Sequence, residues 1–252
     1  MQKVLDVYNF LNEKYTIENQ EPWDNSGLIV GDYRNDVRKI AVVLDINDET
    51  VSQSIEQNAD LIVSHHPLIF KPVKKITSES IEYRLIKNNI SVISIHTCYD
   101  NAKDGVNDIL CEKLGIENVG VAETSDVVCP IVRTGTLGET TGKELAKKVK
   151  EILSGKVSLA DAGNKIRNVA VCSGAGSDFI REMIENDIDA YITGEASYHD
   201  MLFAKDNGMS VISAGHYETE KPAIEELKER IKERFEDIEI LPVVENGPII
   251  YF

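Results

Sequence analysis

Apolar, largely β-branched residues gather along this chain in short runs, each closed by polar or small residues. The runs at 40–46, 60–63 and 90–95 read as buried strands, because an uninterrupted apolar stretch of that length suits a strand covered on both faces. Helical spacing separates them at 49–57 and 79–87, with Asn47 and Asp48 as cap candidates for the first. Val4, Leu5, Tyr8 and Leu11 place a helix over 4–15, and a short strand follows at 28–32. A helix over 104–114 and a strand over 119–122 close this half. Alternation of this kind predicts parallel strands joined by crossover helices.

The order then repeats. Laying Ala41-Val42-Val43 on Ala170-Val171-Cys172, a shift of 129, also lays Val51 on Ile180, Ile55 on Ile184, Asp60 on Asp189 and Ser64 on Thr193. After a deletion of ten residues, Val92-Ile93-Ser94 falls on Val211-Ile212-Ser213. A strand at 131–137 and a helix at 142–153 precede the repeat; a helix at 221–235 and a strand at 238–243 follow it. The expected fold is therefore α/β, two linked and duplicated lobes with largely parallel sheets. The lobes are expected at 1–126 and 127–252, with the seam in 124–130. Convergence of two ordinary strand-helix-strand units is the alternative to duplication.

Composition narrows the function. A formal net charge of −16 over 252 residues opposes a nucleic-acid surface, since any such contact would work against a repulsive field. With 42% hydrophobic and 28% charged residues the chain is ordinary for a globular protein. No apolar run approaches the roughly 18 residues of a membrane span. The start of the chain is helical rather than signal-like, and Cys98, Cys111, Cys129 and Cys172 lack C-x-x-C spacing. A cytoplasmic protein with free thiols is expected.

The chemistry sits just past the strands. Four of the five histidines fall in Ser64-His65-His66-Pro67, His96-Thr97-Cys98-Tyr99-Asp100 and Gly215-His216-Tyr217-Glu218-Thr219-Glu220; the fifth, His199, follows Glu195 by four. Imidazoles and carboxylates at the carboxyl ends of strands are a ligand set for zinc, iron or manganese. Adjacent His65 and His66 suit two ions, so His65, His66, Asp100, His216 and Glu220 form an expected shell for two divalent metals per chain. Pro222 suits the first turn of a helix, which places Glu220 at a loop-to-helix junction. His96 fits a further ligand, a partner of the ligands or a proton carrier, with the last two preferred. Glu195 would orient His199 or carry a proton itself. Gly174, Gly176 and Ser177, between a strand and a helix, are candidates for holding a phosphate. Trp23 reads as a packing anchor of the loop at 21–27.

The stretches Trp23-Asp24-Asn25-Ser26-Gly27-Leu28, Ser64-His65-His66-Pro67, His96-Thr97-x-x-Asp100, Gly105-Val106-Asn107-Asp108, Thr193-Gly194-Glu195 and Gly215-His216-Tyr217-x-Thr219-Glu220 resemble the NGG-interacting-factor-like family. Its members are often labelled GTP cyclohydrolase I type 2 homologues. The resemblance spans nearly the whole chain and implies a toroidal homo-hexamer with dinuclear metal centres facing an inner cavity. Carried over motif by motif, the implied ligands are again His65, His66, Asp100, His216 and Glu220. The chain departs at Cys98, where the family usually has Asn, and at Tyr198, where a second His is common. The function implied is a metal-dependent hydrolase acting on a nucleotide, of the GTP cyclohydrolase kind. The alternative is a metal-binding regulatory or scaffold protein without turnover.

Overall fold

The computed structural model describes residues 1–124 and 130–250. Two compact units emerge, Met1–Ala102 with Ile224–Phe252, and Lys103–Ala223. The boundary expected at 126/127, and Cys129, lie outside the described residues. The change of unit falls instead at 102/103 and 223/224, because the last strand returns to pair with the first unit's sheet.

In the first unit the order is β1 (Gln2–Lys3), α1 (Val4–Tyr15), β2 (Gly27–Val30), β3 (Asp36–Val37), β4 (Lys39–Val43), α2 (Asp48–Glu56), β5 (Leu61–Ser64), α3 (Ile81–Lys87), β6 (Ser91–Ser94) and α4 (Thr97–Asn101). The second unit holds α5 (Val106–Leu114), β7 (Glu117–Val121), β8 (Arg133–Thr141), α6 (Gly142–Leu153), β9 (Ser158–Ala160), β10 (Lys165–Cys172), α7 (Ile180–Glu185), β11 (Ala190–Thr193), α8 (Tyr198–Asp206) and β12 (Ser210–Ser213). Then come α9 (His216–Arg234) and β13 (Glu239–Ile240).

Each unit carries one main sheet, ordered β13-β4-β5-β6-β2 in the first and β7-β8-β10-β11-β12-β9 in the second. The centres are parallel, as the alternation predicts: β4, β5 and β6 in one, β10, β11 and β12 in the other. Antiparallel pairings lie further out, with β2 on β6, β9 on β12, and β8 and β7 beyond β10. Every residue of β5, β6 and β11 is buried, which is why these strands read as unbroken apolar runs rather than as alternation.

The internal repeat is visible in the strand register. Ile40 pairs with Leu61, and Leu61 with Ser91. Val169 pairs with Ala190, and Ala190 with Ser210, at the shifts found in the sequence. The repeated aspartate does the same work in both copies. Asp60 Oδ2 accepts from the amides of Arg38 and Lys39, and Asp189 Oδ2 from those of Arg167 and Asn168. Each carboxylate thus caps the strand-entry amides that a parallel neighbour leaves open. Asn47 caps α2 through Glu49 and Thr50. Among the described residues no helix is long and apolar enough to cross a membrane.

Candidate metal centre

The loops that follow β5 and β6 in the first unit, and β11 and β12 in the second, carry the predicted chemistry at the carboxyl ends of parallel strands. In the first unit, His65, His66 and His96 each offer a ring nitrogen, all within 4.8 Å of one another. Each ring is fixed from behind. His65 Nδ1 lies 2.9 Å from the Ile95 carbonyl, His66 Nδ1 lies 2.8 Å from Asp45 Oδ1, and His96 Nδ1 lies 2.9 Å from Asp24 Oδ1. All three partners accept, so each Nδ1 donates and each neutral ring keeps its lone pair on Nε2. This backing is the one that metal-ligating histidines use. The chain leaves the strand at His65, and the His65 and His66 ring centroids stand 5.0 Å apart.

Asp100 rises from the short helix α4, next to Tyr99, whose ring packs on Tyr15 at 4.5 Å. Its Oδ1 lies 3.5 Å from His65 Nε2. Two ligands at about 2.1 Å from a tetrahedral ion stand roughly 3.4 Å apart. The pair therefore has the spacing of two donors on one metal. His65 is fully buried and Asp100 nearly so, which makes a dry, rigid seat.

The supporting acids are a finding of the structure. Asp24 accepts from His96 and from the backbone and hydroxyl of Thr97, at 3.0 and 2.6 Å. Burial alone would push its carboxyl up; the hydrogen bond and charge of His96, with Thr97 and Asn25, outweigh this and hold it well below the usual range. Asp45 is located in turn by Glu245, which accepts from the amides of Leu44 and Asp45 at 2.8 and 2.6 Å. Trp23 is 58% exposed, and its ring lies against Phe70 and His96 rather than in the core. Beside the ligands, burial pushes the Cys98 thiol up to about 12, so it is not a ready thiolate.

In the second unit α9 begins at His216, not beyond Glu220. His216 and Glu220 therefore stand one helical turn apart on one face, and Pro222 lies inside the helix rather than in its first turn. His216 Nε2 and Glu220 Oε2 are 3.2 Å apart, again the spacing of two ligands on one ion. Glu195 does not orient His199. It accepts from His216 Nδ1 at 2.7 Å, giving this imidazole the same carboxylate backing as His66 and His96. His199 is exposed on α8 against Tyr198.

Gly174, Gly176 and Ser177 lie differently from a phosphate cradle. The Gly174 amide donates to Thr219 Oγ1 and the Gly176 amide to Thr193 Oγ1, both at 3.1 Å, and Ser177 opens a 3₁₀ turn. The Gly174 and Gly176 amides are therefore already bonded within the fold. The glycine serves the donors instead. Gly174 sits at φ +58°, and a Cβ there would collide with Glu220 Oε1 and lie 3.2 Å from His216 Nε2. Both donor sets, all imidazole nitrogen and carboxylate oxygen, fit a borderline divalent ion such as zinc, iron or manganese.

Comparison with known proteins places this architecture. Residues 2–247 match the family described as Duf34/NIF3 (NGG1p interacting factor 3). A GTP cyclohydrolase 1 type 2 homolog of Clostridium acetobutylicum is 34% identical over 242 residues, covering 91% of this chain and 90% of that protein. The GTP cyclohydrolase 1 type 2 of Helicobacter pylori is 34% identical over 226 residues, 88% of each chain. The crystal structure of a Bacillus cereus protein related to NIF3 shares the fold, with a TM-score of 0.90 at 21% identity over 100% of this chain and 99% of that one.

Proposed function

The chain belongs to the Duf34/NIF3 family, and from that premise we propose that it is a dinuclear metal-dependent hydrolase that opens the guanine imidazole ring of GTP. His65, His66, Asp100, His216 and Glu220 would hold two divalent ions. The observation that carries this is the common backing of the rings. His66, His96 and His216 each donate Nδ1–H to a carboxylate, and His65 donates to a carbonyl, so His65, His66 and His216 keep Nε2 as a donor to metal and His96 keeps its Nε2 lone pair to accept a proton. The names of the curated relatives support the substrate.

When bound, the ions lower the pKa of water so that hydroxide is available near neutral pH. The protein's own residues do the rest. The buried His65 and Asp100 exclude bulk solvent and keep the donors fixed. His96, oriented through Asp24, would exchange protons at Nε2 as one water adds to C8 of guanine and the C8–N9 bond breaks to leave a formamide on N7, and as a second water cleaves that formamide to formate and the free amine. Six copies of the chain assembling into a ring is part of the same proposal, and light scattering coupled to size exclusion measures it.

Protein reconstituted with zinc, manganese or iron is assayed for formate release from GTP, with Glu220→Gln as the blank. Turnover that needs Glu220 supports the reading. His96→Ala is expected to keep its metal and lose about a hundredfold in rate or more. Absence of turnover in metal-replete protein refutes the hydrolase and leaves a metal-binding regulatory role.

A further inference from the structure

Between Asp60 and Glu79 the chain has no acidic residue, in a protein whose formal net charge is −16. Residues 65–80, which take in most of this stretch, join β5 to α3 without regular secondary structure. A connection of that length inside a compact unit is uncommon and is usually functional. The loop is fastened at several points. Asn25 Nδ2 donates to the Ile69 carbonyl at 2.7 Å, and Ser80 Oγ accepts from the Thr77 amide at 3.0 Å. Held this way it exposes Phe70 (48%), alongside Trp23 (58%), and leaves Lys71, Lys74 and Lys75 in solvent. The Trp23 and Phe70 rings lie 5.7 Å apart and are tilted by only 34°. Both meet the His96 imidazole edge-on, at 6.0 and 5.7 Å between centroids. Large aromatic rings ordinarily go into the core, yet these two stand at the surface directly beside the three imidazoles.

We propose that Trp23 and Phe70 form a stacking platform that seats the heteroaromatic base of a nucleotide beside His96, while Lys71, Lys74 and Lys75 receive its phosphates. This rests on the nucleotide reading above and names the residues that would bind that substrate. Aromatic faces take a base flat whatever its edge pattern, because every base has a π-face. Ammonium groups on flexible stems suit phosphate oxygens. The lysine-bearing stretch 61–78, which has no acidic side chain, also lets an anion approach this acidic molecule against less repulsion. Neither feature alone selects a nucleotide; a planar ring and a polyanion in one ligand use both.

Trp23 is the sole tryptophan, so its emission reports on this place alone. Metal-reconstituted protein is titrated with GTP, guanosine and inorganic triphosphate. GTP and guanosine are expected to quench Trp23, whereas triphosphate competes with GTP without comparable quenching. Phe70→Ala should weaken GTP and guanosine by about 5- to 150-fold, the effect of one stacked base. Lys74→Ala with Lys75→Ala should weaken GTP, spare guanosine and flatten the salt dependence of GTP binding. Thermal unfolding verifies that both variants stay folded, as expected for exposed side chains. The proposal is overturned if GTP binds with Trp23 emission unchanged, or if Phe70→Ala binds it normally. It is also overturned if emission follows protein concentration rather than nucleotide and Phe70→Ala lowers the mass in light scattering, which assigns the rings to a second copy. Quenching that depends on Phe70, without formate release, sustains the platform and refutes the hydrolase. Formate release with KM unchanged in Phe70→Ala does the reverse.

Discussion

Replacing Asp24 by Asn tests how the first unit prepares its histidines. The wild-type carboxylate meets only donors: His96 Nδ1 and the Asn25 amide at Oδ1, the Thr97 amide and hydroxyl and the Ser26 hydroxyl at Oδ2. Asparagine keeps the shape and turns one of these oxygens into a second donor. If its NH₂ faces Thr97, two donors oppose each other. If it faces His96, Nδ1 must accept, the proton moves to Nε2, and the ring loses its outward lone pair. Hydrogen bonds to a charged group contribute about 1.5–3 kcal/mol each, so disturbing one or two costs about 2–4 kcal/mol. The pH dependence has a definite sign. The folded carboxyl is held below its ordinary value of 3.8, so its contribution is complete above that pH and is lost as pH falls below it. The stability gap between wild type and Asp24→Asn should therefore be full at pH 7 and narrow as the pH is lowered below about 4. Urea unfolding across this range measures the gap, and ¹⁵N NMR of the imidazoles reads the tautomer of His96. An Asp24→Asn variant as stable as the wild type, with His96 still protonated at Nδ1, refutes the reasoning; so does a gap that widens in acid.

Three further outcomes follow from the site. Glu195→Gln weakens the backing of His216, so metal affinity should fall about 10- to 100-fold in a chelator competition. Gly174→Ala forces a side chain into the left-handed region and against Glu220, so urea unfolding should show a loss of at least about 1–2 kcal/mol, and elemental analysis a loss of metal. The Cys98 thiol, buried and pushed up to about 12, should resist iodoacetamide at pH 8 in the folded protein and react once urea unfolds it, as peptide mapping would show.

Local pattern alone carried the central parallel strands, most helices, the histidines just past strand ends and the repeat, and missed the short β1, β3 and β9. Backbone burial on both faces leaves an unbroken apolar run, and a duplicated unit keeps its register, so Asp60 and Asp189 are readable at a shift of 129 before either is seen capping a strand. Helix α1 begins and ends where the spacing of Val4, Leu5, Tyr8 and Leu11 places it, because its own residues set the amphipathic face. What the fold alone decided is which distant groups meet. Asp24 lies 72 residues before His96, Asp45 lies 21 before His66, and Glu195 lies 21 before His216. Aspartate and glutamate are common, and no periodicity marks the few that back an imidazole. The same holds for the Gly174 loop, whose small residues suit a phosphate equally well until Thr193 and Thr219 are seen bonded to its amides. Trp23 and Phe70 make the point for surfaces, since an aromatic residue in a sequence looks like core. Only the closure of β5 and β6 side by side, which carries Phe70 and His96 into contact with the loop bearing Trp23, leaves both rings in solvent. Sequence determines local geometry through short-range sterics and burial; partners far apart in the chain are chosen by packing, which no local pattern encodes.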